Sequence, residues 1–307
     1  EAIISNDKNK LENRLDLLWE NAKKKVDLYQ LTGLGQSIWP ILKEFDLFEK
    51  YQIQYQNSSA SENEVHEFIE SLNLDFEVGN RTFLENKKEL DILIHSHKLA
   101  IEFDGIYWHS HNIKGDKNYH LDKTNIIESK GYQLLHIFEN EWICKQEIWK
   151  SIIKAKLGIF DRRLYARKCQ IKEILPKESR KFLDENHLSG FANASVHLGL
   201  FYNDELVSVM SYGKSRFNTN DTEVIRFATL LNTQVIGGFS KLLNILKGPI
   251  VCFADRRISS INNSSNESFF DSYEITSPAF WIIEGNELKH RLGYTKQKLK
   301  LYQTFDN

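Results

Sequence analysis

Apolar residues recur along this chain with two periods, and the switch between them marks its elements. Between residues 8 and 31, Leu11, Leu15, Leu18, Trp19, Ala22, Val26 and Tyr29 follow helical spacing, with Asn6 or Asp7 placed to cap the first turn. Gly33 and Gly35 turn the chain into a second predicted helix over about 38–51, giving either a packed helical hairpin or a helix-turn-helix reader. A polar stretch at 54–61 leads to a third helix, capped by Ser59 or Ser61, whose apolar stripe is Val65, Phe68 and Ile69. Glu62 lies along the edge of that stripe and Glu64 off it.

The period then changes to that of a strand. Over 89–109, which reads ELDILIHSHKLAIEFDGIYWH, two apolar runs at 90–94 and 99–103 flank a polar tip at 95–98, the pattern of a β-hairpin. A turn centred between Ser96 and His97 sets Asp91 directly opposite Glu102, with Cβ atoms about 5 Å apart. Two carboxylates that close repel unless they share a proton or a cation, and Asp104, two residues along the same face, adds to the repulsion. A divalent metal resolves it.

Past the hairpin come His109, His111 and a polar loop through Lys117. A helix over 119–130 follows, with His120, Lys123, Thr124 and Ile127 along one face and Gly131 ending it. A near-continuous apolar run at 132–138 predicts a buried strand, and helix-then-strand order favours a mixed sheet with helices packed on it. Glu139 and Glu141 stand just beyond its end, as surface acids or as supports for a site.

The spacing of Asp91 and Glu102 resembles the metal-nuclease core of the PD-(D/E)xK superfamily, with Asp104 where the lysine normally sits. Asp91, Gly105, Trp108 and His109 fall where the very-short-patch repair (Vsr) endonucleases carry Asp, Gly, Trp and His. The segments ELDILI, LAIEFDGIYWHS, YHLDKT and GYQLLHIFENEW resemble Vsr-like homing endonucleases of phages still more closely, over roughly 59–158. The resemblance implies a DNA endonuclease dependent on Mg²⁺ or Mn²⁺, with Asp91 and Glu102 as metal ligands and Glu62, or Glu64 in its place, completing the site. Asp104 would bind the ion directly or through water. With the triplet lysine missing, Lys123 could carry that charge on the helix, while His109 or His120 could act as acid or base. Trp108 is either a wedge between base pairs or a core residue. The implied partner is double-stranded DNA, cut at a long specific site or, as in the repair enzymes, nicked at mismatches; cutting both strands with one site implies a dimer or sequential nicking.

Beyond Gly158 the pattern is again that of a mixed fold. Strands over 197–202 and 205–212 flank an Asn203-Asp204 turn. A strand over 222–230, a helix opening at Val235 to Lys241, and an apolar strand over 250–254 follow. That order resembles the GNAT acyltransferase core, whose Q/R-x-x-G-x-G/A loop cradles a pyrophosphate. Gln234, Gly237 and Gly238 match the loop and Phe239 departs from it. The alternative function is therefore acyl transfer, with a nucleic-acid-binding front half; the same loop could instead hold a DNA phosphate beside Arg226, Lys241, Arg256 and Arg257.

Composition bounds these readings. A chain of 307 residues, 41% hydrophobic, supports an α/β (α+β) architecture: a helical region at 1–57, a mixed-sheet nuclease domain at 58–160 and a mixed α/β domain at 161–307. Net charge is −2 and the pI about 6.6, without the basic excess usual in a nucleic-acid binder. Local patches must supply it: Arg162, Arg163, Arg167 and Lys168 in one segment, Arg256 and Arg257 in another, Arg291 and Lys296 near the end. Cys144, Cys169 and Cys252 make no CxxC pair and are expected to be buried thiols. No run reaches the ~18 apolar residues of a membrane span, so a cytoplasmic protein of a bacterium or its phage is expected. The opening at Glu1 rather than methionine is that expected of a fragment or a processed chain.

Overall fold

The computed structural model describes residues 8–21, 45, 60–84, 89–105, 118–218, 220–259, 270–276, 281–284 and 287–290. The chain divides into two compact units, Glu1–Ser58 and Ser59–Asn307. In the first, α1 (Lys8–Asn21) carries a buried Leu15. The continuation of this helix to residue 31 and the helix expected over 38–51 lie outside the described residues, except Phe45, which stands in a turn.

The second unit opens with α2 (Ala60–Ser71) and a sheet in the order β1 (Glu77–Asn80), β2 (Leu90–Ile94), β3 (Leu99–Asp104), β4 (Gln133–Phe138). The first two pairings are antiparallel and β3 runs parallel to β4. A parallel pair needs a long crossover, supplied here by the segment containing α3 (Tyr119–Ser129). The hairpin has the register read from the sequence: Ile92 faces Ile101, Leu93 faces Ala100 and Ile94 faces Leu99.

Strand alternation sorts the two faces of this sheet. Ile92, Ile94, Leu99, Ile101, Phe103, Leu135 and Ile137 form one face, covered by Val65 and Ile69 of α2 and by Trp142, Ile148, Trp149 and Ile153 of α4 (Glu139–Lys156). Each such side chain contributes about 1.5–3 kcal/mol by leaving water. On the other face Leu93, Ala100 and Leu134 pack with Ile127 of α3. All six residues of β3 are buried, so any polar group it carries needs a partner inside the protein.

A second module follows, with β5 (Arg162–Tyr165), β6 (Gln170–Glu173), α5 (Pro176–Asn186), β7 (Val196–Tyr202), β8 (Glu205–Lys214), β9 (Thr222–Thr229), β10 (Thr233–Ile236), α6 (Gly238–Leu243) and β11 (Ile250–Cys252). Five strands form a sheet in the order β11-β9-β8-β7-β6, β10 pairs parallel with β5, and β12 (Trp281–Glu284) and β13 (Glu287–His290) form a hairpin. At the β7–β8 turn Asn203 and Asp204 adopt φ of 48° and 62°, the left-handed pair that a two-residue hairpin demands. Cys169 is buried and Cys252 half-buried, but Cys144 is exposed on α4, contrary to expectation. No described helix is long and apolar enough to cross a membrane.

The segment after β11 returns to the first sheet and covers the open edge of β4. His136 N donates to Arg257 O (3.3 Å) and Gln133 Nε2 to Ile258 O (2.5 Å). Arg257 lies over the Phe138 ring and forks onto Glu141 (2.8 Å) and Asp255 (2.8 Å), while Arg256 reaches the buried Glu128 (2.5 Å). Arg257→Ala should therefore lower unfolding stability by about 2 kcal/mol, read as a shifted urea midpoint with an unchanged slope. A loss below a few tenths would mean that the strap merely rests on the surface.

Candidate active site

The β2–β3 register brings two acids together in a dry setting. Glu102 is buried and Asp91 half-buried. The Phe103 N–H donates to Asp91 Oδ2 (2.7 Å), and the Asp91 N–H points at Glu102 Oε1 (3.4 Å), so each carboxylate is anchored by the partner strand's backbone. Helix α3 supplies the counter-charge. Lys123, itself buried, places Nζ 2.5 Å from Glu102 Oε2 and donates to Glu89 O (2.5 Å).

The cation does not outweigh the desolvation. Burial pushes the Asp91 carboxyl up from 3.8 to about 6, against the lowering by the Phe103 N–H and Lys123. Burial, followed by the charge of Asp91, raises Glu102 as well, with Lys123 opposing. Two like charges about 4 Å apart at an effective dielectric of 20 repel by roughly 4 kcal/mol, enough to hold a proton or a metal ion. The donor set is hard oxygen, and the partial exposure of Asp91 leaves a side open to water, which suits an ion such as Mg²⁺.

Two residues along β3, on the same face, lies a second polar group. Asp104 Oδ2 is 2.9 Å from His136 Nδ1, and Oδ1 is 3.4 Å from His120 Nδ1. His136 Nε2 contacts Thr124 Oγ1 (3.0 Å), whose hydroxyl donates to His120 O (2.8 Å). The ligand atoms of Asp104, His120 and His136 all lie within 4.8 Å of one another, a group able to hold a metal ion. His136 escaped the sequence reading; its one signal is a titratable residue inside the apolar run QLLHIF.

The other expected site residues are placed as follows. Glu62 is on α2, which packs against the apolar face of the sheet, and stands 4.0 Å from His66. Glu64 accepts from Trp142 Nε1 (2.9 Å) and Gln146 Nε2 (2.8 Å), tying α2 to α4. Trp108, His109, Arg291 and Lys296 lie outside the described residues. Arg162 pairs with Glu205 (2.8 Å), and Arg163 donates to Gly158 O (3.0 Å). Arg226 donates to Gly190 O and Lys241 to Ala166 O and Cys169 O. Arg256 and Arg257, expected to contact phosphate, pair with acids of the first module instead, because the strap buries them against it. Arg167 and Lys168 are exposed, with Arg167 over the Tyr165 ring. Gln234, Gly237 and Gly238 line a cavity of about 320 Å³ together with Phe239, Phe227 and Phe160.

Fold and site together define a mixed α/β protein that carries a carboxylate pair with its own buried lysine. No family model and no curated protein matches the chain. Among solved structures, the catalytic domain of the homing endonuclease I-Bth0305I aligns at 24% identity over 33% of this chain and 97% of that one, with a TM-score of 0.27.

The raised Asp91 value has a measurable consequence. In the window from 3.8 to about 6 the folded protein holds a proton that the unfolded chain releases, so the metal-free protein should lose stability as pH rises through it. The loss is on the order of 3 kcal/mol. Asp91→Asn should flatten this slope and raise Tm at pH 7; an unchanged Tm–pH profile would show that the carboxyl is not strained.

Proposed function

We propose that this chain is a metal-dependent DNA endonuclease that hydrolyses phosphodiester bonds at a long specific site, in the manner of homing endonucleases. The observation that carries this reading is the convergence of Asp91, Glu102 and Lys123: two acids from paired strands, and a lysine delivered from a helix to the acid that lacks one in its own triplet. Asp91 and Glu102 would hold the ion. When bound, Mg²⁺ would neutralise phosphate charge and lower the pKa of an attacking water. Lys123 orients Glu102 and opposes its protonation, and the backbone N–H of Phe103 does the same for Asp91. The exposed Arg167 and Lys168 of the second module are suited to phosphate contacts that would lengthen the footprint on double-stranded DNA.

A second reading, acyl transfer, draws on the cavity bordered by Gln234, Gly237 and Gly238; Phe239, at the place of the loop's last small residue, also lines it and narrows the room for a pyrophosphate. Calorimetric titration with acetyl-coenzyme A separates the two.

On a plasmid or long duplex substrate, Asp91→Asn and Glu102→Gln should each lower the cleavage rate at least ~100-fold, and chelation of the divalent ion should abolish it. Lys123→Met should lower the rate similarly and weaken Mg²⁺ binding, since it removes the charge that opposes protonation of Glu102. Cleavage within tenfold of the parent by both acid variants would falsify the assignment.

A further inference from the structure

The contact between His136 and Asp104 has a polarity problem that points to a cation. With the single Thr124 hydroxyl proton on His120 O, the hydroxyl oxygen accepts from His136, whose Nε2 then carries the proton. In a neutral imidazole that leaves the Nδ1 lone pair facing Asp104 Oδ2 at 2.9 Å, acceptor against acceptor. Either a second proton or a metal ion must sit between them. The geometry has room for the ion. Two ligands about 2.1 Å from one metal at 90–110° are themselves about 3.0–3.4 Å apart. The two Asp104 contacts, Oδ2 to His136 Nδ1 at 2.9 Å and Oδ1 to His120 Nδ1 at 3.4 Å, are close to that range, and one ligand atom from each of the three residues lies within 4.8 Å of the others. A histidine that ligates through one nitrogen and donates from the other to a fixed acceptor is the usual supported arrangement, and Thr124 is that acceptor.

We propose that Asp104, His120 and His136 form a second metal site, for a first-row transition ion of the Zn²⁺ type, distinct from the all-oxygen pair at Asp91 and Glu102. Two imidazoles and one carboxylate select such an ion over Mg²⁺. Glu102 and Asp104 are two residues apart on β3, so the ions would lie roughly 7 Å apart, beyond the ~3.5–4 Å of a two-metal catalytic clamp. The second ion would instead pin α3 through His120 to β3 and β4, holding the turn that delivers Lys123. This inference does not depend on the reaction assigned above.

The test uses the full chain, stripped with chelator and titrated with Zn²⁺, then with Co²⁺ as a spectroscopic probe. One Zn²⁺ per chain should survive gel filtration, Co²⁺ should give visible bands of imidazole coordination, and Tm should rise. His120→Ala, on a half-exposed helix position where folding is not at risk, and His136→Gln should each weaken Zn²⁺ binding at least 100-fold. Thr124→Val should weaken it about tenfold. Asp91→Asn and Glu102→Gln should leave it within threefold, which separates this site from the other. Failure to retain Zn²⁺, or equal retention by the His120 variant, would overturn the proposal and leave a proton between Asp104 and His136.

Discussion

The antiparallel register of β2 against β3 is the constraint on which the candidate chemistry depends. A slip of one residue would turn Asp91 onto the face that packs under α2 and α4 and bring an isoleucine up in its place. The apolar residues forbid that slip, since Ile92 and Ile94 would exchange a packed core for the acidic face. The same hydrophobic alternation that folds the hairpin therefore forces two carboxylates together. Their repulsion is sustained by the packing on the opposite face.

Helix α3 completes the arrangement, and its contribution differs in kind. Its apolar anchor is Ile127, set among Leu93, Ala100 and Leu134. From that anchor, Lys123 lies one turn back over Glu102, and His120 a further turn back over Asp104. One helix thus places a cation or an imidazole above each acid of β3. Breaking the buried Glu102–Lys123 pair on one side would leave an uncompensated charge, which is far more costly than the net worth of the pair itself.

The second module braces this centre from outside. By covering the open edge of β4, the strap at Arg256 and Arg257 holds the strand that carries His136, and its two arginines are drawn from the surface into pairs with Glu128 and Glu141. Positive charge that looks available to phosphate along the chain is here part of the joint between modules. Arg226 and Lys241 are likewise taken up by backbone carbonyls.

What the amino-acid order determined by itself is local. The β2–β3 hairpin, its register, the left-handed Asn203-Asp204 turn and the helix ended by Gly131 all follow from alternation, spacing and turn chemistry within a dozen residues. Helix α4 was not legible: non-helical φ and ψ at Lys145 break its course, so Trp142, Ile148 and Trp149 do not hold one period. The role of His136 was equally hidden. Its neighbour Glu102 is 34 positions earlier in the chain, and only the parallel pairing of β3 with β4, closed by a long crossover, sets them side by side. Tertiary structure alone decided which lysine faces Glu102 and which arginines are spent on the strap. Those choices depend on packing between segments distant in sequence, and no period or motif within either segment encodes the other's position.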